Sequence, residues 1–147
     1  MCFTVYLGSN IILPEIKWNE NNPQFFTQQL SKEELNIKNH FIYPEVIYLG
    51  SDESCGCGFR HALLNYDENS WLEVVDTEED KNEQKNHNNL VSFIKKNLTD
   101  EKYCELYSIW DEDFKQKPLI FYKISLNDIQ DQNFFFKERA FYKCKIS

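Results

Sequence analysis

Glycine occurs at only four of the 147 positions, and two of the four flank one cysteine in Cys55-Gly56-Cys57-Gly58. A chain this poor in glycine turns elsewhere with Asn and Asp. Each glycine therefore marks a special backbone requirement: an unusual backbone angle at the strand ends, and positive φ angles or the close approach of another group in the cysteine loop. The other two, Gly8 and Gly50, end two matched segments, Val5-Tyr6-Leu7-Gly8-Ser9-Asn10 and Ile47-Tyr48-Leu49-Gly50-Ser51-Asp52. Each reads as a β-branched and aromatic strand running into a turn. The two are expected to be neighbours in one sheet, with both turns at the same edge.

The thiols of Cys55 and Cys57 lie two positions apart, so along an extended segment they project to one side. Two thiolates from one loop suit zinc or another soft cation when further ligands come from elsewhere. Cys2 on the first strand and His61 shortly after the loop are the expected co-ligands. The same pair can instead cycle between a dithiol and a small-ring disulfide, with loop amides, Arg60 and His61 lowering one thiol pKa. A third reading makes Cys2 an N-terminal nucleophile after removal of Met1. Opposed to all of these is a tight turn packed beneath Phe59 with inert thiols. In that case the domain works by binding a protein partner or small molecule through its acidic, aromatic-rich surface. Cys104 and Cys144 fall within strand patterns and read as core.

The charge balance narrows the partners. With 24 acidic against 16 basic residues and a net charge of −8, the chain lacks the basic footprint that nucleic acid requires, and anionic membranes are disfavoured for the same reason. No segment approaches the roughly 18 apolar residues of a membrane span, and the first residues carry no charged leader. The chain is expected to be cytoplasmic, with its five cysteines mostly reduced. Aromatic residues make up 16% of the chain, which is ample bulk for a packed interior.

Periodicity predicts an α+β fold over a single domain, 1–147, with a mixed or antiparallel sheet of five or six strands and one main helix on a face. Strands are expected at 2–7, 45–49, 69–75, 103–110, 119–124 and 134–146. Residues 10–24 read as a loop anchored by Trp18. Ser31-Lys32-Glu33-Glu34 is a capping box opening a short helix through about His40. Thr77 is the expected N-cap of a helix reaching Leu98, its first half polar and prone to fray. Its second half places Leu90, Val91, Phe93, Ile94 and Leu98 on one face. The last part of the chain reads as an antiparallel unit, with Lys137, Arg139, Lys143 and Lys145 on a solvated face that protects an edge strand. His87 is expected to be exposed, His40 to be a cap or core-edge residue, and Glu138 and Arg139 to pair on the surface. Asp111-Glu112-Asp113 reads as a solvated turn before it reads as a cation site.

Taken together, several segments resemble an uncharacterised group of bacterial proteins. They are Met1-Cys2 leading into Tyr6-Leu7, Pro44-x-Val46-x-Tyr48-Leu49-Gly50-Ser51, and Cys55-Gly56-Cys57-Gly58-Phe59. Glu105-Leu106-Tyr107, Trp110-Asp111 and Phe136-x-Glu138-Arg139 extend the likeness over most of the chain. The resemblance implies no substrate and no mechanism, so the residues themselves carry the functional reading.

Overall fold

The computed structural model describes residues 2–75, 77–110 and 114–146. The acidic turn at 111–113 lies outside them. The described chain is an α+β fold of nine strands in two sheets: β1 Phe3–Ser9, β2 Phe26–Gln29, β3 Glu45–Gly50, β4 His61–Asn65, β5 Ser70–Glu73, β6 Tyr103–Trp110, β7 Ile120–Ser125, β8 Phe136–Lys137 and β9 Ala140–Lys145. The helices are α1 Asp80–Asn97, the short α2 Leu126–Gln130, and 3₁₀ segments at Lys32–His40 and Gly56–Gly58.

The principal sheet runs β2-β3-β1-β6-β9-β7 and is antiparallel except for β7 and β9, which are parallel. It is covered on both faces. Phe3, Val5 and Leu7 of β1 meet Leu90, Val91 and Ile94 of α1 in the larger core. Tyr6, Tyr107 and Phe141 meet Ile37 of the first 3₁₀ segment on the opposite face. Every residue of β1 is therefore buried, which is why that strand reads as a nearly unbroken apolar run without two-residue alternation. The capping box at Ser31 forms, with Ser31 N–H donating to Glu34 Oε1 at 2.9 Å. His40 sits at the core edge with Nε2 2.8 Å from Phe114 O.

Several expectations need correction. β1 and β3 are neighbours but antiparallel, with Gly8 opposite Val46, so their two glycine ends lie at opposite edges. None of the glycines has a positive φ. Both strand-end glycines instead seat an aromatic ring: a Cβ on Gly8 would fall 2.4 Å from the Phe41 ring, and one on Gly50 would fall 2.0 Å from that of Phe26. The helix begins at Asp80, three residues beyond Thr77, and its polar half is ordered and packed. The buried stripe of Leu90 and Ile94 simply continues upstream as Glu83, Asn86 and His87. His87 is thus fully buried. Trp18 is only half-buried, and Leu13 is the core anchor of its loop.

The segment expected as one final strand is two. Arg139 takes a left-handed φ of 62°, which turns β8 out of the principal sheet to pair in parallel with β4. β8, β4 and β5 make a second, three-stranded sheet. β9 then lies between β6 and β7, so it is an interior strand and not an edge. Glu138 does not pair with Arg139 on the surface. It is buried and accepts from Leu64 N–H at 2.9 Å and from the Tyr66 hydroxyl at 3.1 Å. No helix among the described residues is long and apolar enough to cross a membrane.

Candidate functional site: a three-cysteine cluster

The turn after β3 is shaped by Ser51. Its hydroxyl donates to Cys55 O at 2.5 Å and accepts from Gly58 N–H at 3.0 Å and Glu53 N–H at 3.2 Å. Ser51 N–H donates to the same Cys55 carbonyl at 2.8 Å. The left-handed residue of the turn is Ser54, at φ 66°, so the conformational strain expected at glycine falls on a serine. The glycines answer to crowding. A Cβ on Gly56 would stand 2.4 Å from the Phe3 carbonyl oxygen, and one on Gly58 would stand 2.2 Å from Ser51 Oγ. Only a bare backbone lets this loop lie flat against the start of β1.

Helix α1 fastens the loop from outside. Asn86 Nδ2 donates to Asp52 Oδ1 at 2.8 Å and to Gly58 O at 2.9 Å, while its Oδ1 accepts from Asp52 N–H at 3.2 Å. Trp18 Nε1 adds a longer bond to Asp52 O at 3.3 Å. Ser51 and Asn86 were not singled out from sequence. The only signal for Asn86 is its spacing, one turn upstream of Leu90 on the buried stripe.

Pressing the loop against β1 brings the sulphurs of Cys2, Cys55 and Cys57 within 4.8 Å of one another. All three residues are half-buried. Phe3 N–H donates to Cys57 Sγ at 3.2 Å, and Cys57 N–H points at Cys55 Sγ at 3.4 Å. The Cys57 thiol is brought down to about 6, chiefly because the Cys55 thiol donates to it, with Phe3 N–H and the Cys2 thiol adding to the effect. Cys55 is pushed up for the complementary reason, as the donor in that pair, and by burial. The arrangement favours the thiolate at Cys57, with its neighbours as sulphur hydrogen-bond donors.

His61, expected as a fourth ligand, is not one of this group. Its ring is stacked on Phe3 at 4.7 Å, and its Nδ1 lies 2.8 Å from Phe59 O, which fixes the proton on that nitrogen. Burial holds the imidazole below its ordinary pKa, so it is neutral. Gly8 and Gly50 belong to the sheet and take no part in the site. Cys104 and Cys144 face each other across β6 and β9, fully buried, as expected of core residues.

Comparison with protein-family models, with curated proteins and with solved structures finds no match. What the fold and site define is an α+β protein bearing a half-buried cluster of three cysteines that could hold a metal ion.

Proposed function

We propose that the protein is a metal-thiolate protein whose ligands are Cys2, Cys55 and Cys57, with zinc as the best-suited ion. The observation that carries this reading is the approach of the three sulphurs to within 4.8 Å. Tetrahedral zinc with bonds of about 2.3 Å needs sulphurs about 3.8 Å apart, which small rotations of half-buried side chains supply. The donor set is soft, one thiol is already acidified, and the loop amide and Phe3 N–H stabilise thiolate charge. Three protein ligands leave the fourth position to water or to an incoming ligand, the arrangement of reactive zinc sites.

The acidified Cys57 favours a second reading, thiol–disulfide exchange. The Cys57 thiolate would attack a disulfide substrate and release one sulphur as a thiol. Cys55 would then displace the second sulphur as it closes a disulfide with Cys57, leaving the substrate reduced by two electrons. One experiment separates the two. Protein purified without chelator or histidine tag is assayed for metal, for cobalt-thiolate absorption on substitution, and for free thiols. Near-stoichiometric metal lost in Cys57→Ser is expected. Absence of metal with a reversible intramolecular disulfide would replace the first reading by the second. Absence of both would overturn both.

A further inference from the structure

Two buried polar side chains, Arg60 and His87, and the half-buried Gln84 hold one segment, 129–134, by its backbone. His87 Nδ1–H donates to Ile129 O at 2.9 Å, while its Nε2 accepts from Arg60 N–H at 2.9 Å. Gln84 Nε2 donates to Gln130 O at 2.9 Å. Arg60 reaches Asp131 O through Nη2 and Phe134 O through Nε, both at 2.9 Å, and Gln84 Oε1 through Nη1 at 2.8 Å. Burying a guanidinium and an imidazole is costly unless their polar groups are hydrogen-bonded, and here backbone groups and Gln84 supply those bonds within the field of Asp80, Glu83 and Asp131. Together these bonds anchor four carbonyls in six residues.

That loop is one wall of a 440 Å³ cavity, whose other sides are Tyr122 and Ile124 of β7, Lys137 of β8 and Tyr142 of β9. The size falls within the ~300–1,000 Å³ of ordinary small-molecule sites. Its walls are flat aromatic faces. Tyr122 and Tyr142 are stacked at 5.5 Å, and Phe134 is tilted against Tyr142 at 5.7 Å. The Tyr142 hydroxyl accepts from Lys137 N–H at 2.8 Å, which locks the back wall.

The charges lining the cavity differ in what remains unsatisfied. Asp128 Oδ2 accepts from Ser125 N–H at 2.7 Å and from its hydroxyl at 3.2 Å. Asp131 Oδ1 accepts from Asn133 N–H at 2.8 Å. Both carboxylates thus serve local turns. The Lys137 ammonium, by contrast, has no carboxylate partner among the described residues. It meets the Tyr122 hydroxyl at 2.9 Å and the ring faces of Tyr122 and Trp71 at 5.0 and 5.4 Å. An ammonium on phenol and ring faces retains donors for an anion.

We propose that this cavity is a binding site for a small planar aromatic monocarboxylate, its ring against Tyr122, Phe134 and Tyr142 and its carboxylate on Lys137. Asp128 and Asp131 in the lining make the cavity unfavourable for polyanions such as nucleotides. The site is built from elements other than the cysteine loop and stands independently of it.

The test is a chemical-shift titration of the full chain with indole-3-carboxylate, indole-3-carboxamide, tryptamine and adenosine monophosphate. The expected result is saturable shifts at Tyr122, Lys137 and residues 131–135 with the carboxylate, and binding weaker by roughly tenfold or more for the neutral amide. Lys137→Met should weaken the carboxylate by a similar factor and the amide by less, so that the ratio between them narrows towards one. Should that variant not fold, the acid-against-amide ratio in the wild-type protein decides. Equal binding of acid and amide, preference for tryptamine or the nucleotide, or no saturable shift with the carboxylate would each overturn the proposal.

Discussion

Five cysteines sit in two environments, and the contrast between them separates a thiol that can act from one that fills space. Cys104 and Cys144 are directly opposed on adjacent strands and fully buried within the apolar core. The Cys104 thiol is pushed up by its hydrogen bond with Cys144 and by burial. Cys2, Cys55 and Cys57 are equally crowded, yet they are half-exposed and receive two backbone N–H groups. Proximity of sulphurs is common to both groups. What differs is access and the presence of donors that stabilise a thiolate.

The sharpest way to break this comparison is differential alkylation. In metal-free protein at pH 7 Cys57 should react first, with a rate that rises through a midpoint near pH 6. Cys104 and Cys144 should lag by roughly a hundredfold or more until the protein is unfolded. Mass spectrometry of timed samples reads this directly, and simultaneous labelling of all five would erase the distinction. Metal binding comes next. Loss of a residue that merely orients a ligand costs about 10–100-fold in affinity, so Cys57→Ser should weaken zinc by more than that, measured by chelator competition. Cys144→Ala should leave zinc affinity unchanged and lower stability by only about 1 kcal/mol in denaturant melts.

Gly56→Ala sharpens the role of the loop. Its Cβ would meet a backbone oxygen, that of Phe3, which cannot rotate away. A loss of roughly 1–3 kcal/mol is expected in denaturant melts, together with weakened zinc binding, because the shift that relieves the clash separates Cys57 from Phe3 N–H. Conformational stability that survived unchanged would mean the loop does not lie against β1 as described.

A pH-dependent effect tests the neighbouring clamp. Burial, and then the charge of Arg60, holds His87 near 3, against an ordinary 6.5. As pH falls below 6.5 the unfolded chain takes up this proton before the folded one does. The stabilising contribution is therefore fully present above that pH and is lost towards pH 3, at about 1.4 kcal/mol per pH unit. His61, also depressed, adds in the same direction. His87→Gln should flatten the acid limb of a Tm-against-pH curve, whereas Cys57→Ser should leave that limb in place.

Much of the framework is legible in the sequence because it follows from local pattern. β6 is found at Tyr103–Trp110, where apolar and aromatic density predicts it, and the apolar half of α1 packs as its stripe requires. All three cysteines of the cluster are legible in the sequence, whereas the expected co-ligand His61 lies outside it, held by the Phe3 ring and the Phe59 carbonyl. β4 was missed. His61–Asn65 is short, and it becomes a strand by pairing with β5 and β8, the latter far along the chain. Asn86 and His87 looked like solvated helix surface because polarity by itself cannot distinguish a side chain in water from one whose partners are buried backbone groups.

Legible in the residues alone were that the scarce glycines mark special backbone positions, that Cys55 and Cys57 share a loop, and that an α+β core forms around the strand and helix stripes. Those features depend on spacing and on the size of side chains, which the chain states outright. Contacts across the fold settle that crowding and not positive φ reserves the glycines, that His61 stays out of the cluster, that Arg139 divides the last strand, and that Arg60, Gln84 and His87 spend their polar groups on one distant loop. Each of these depends on contacts between segments tens of residues apart. Their energy comes from burial and from satisfying backbone groups that no local pattern reveals.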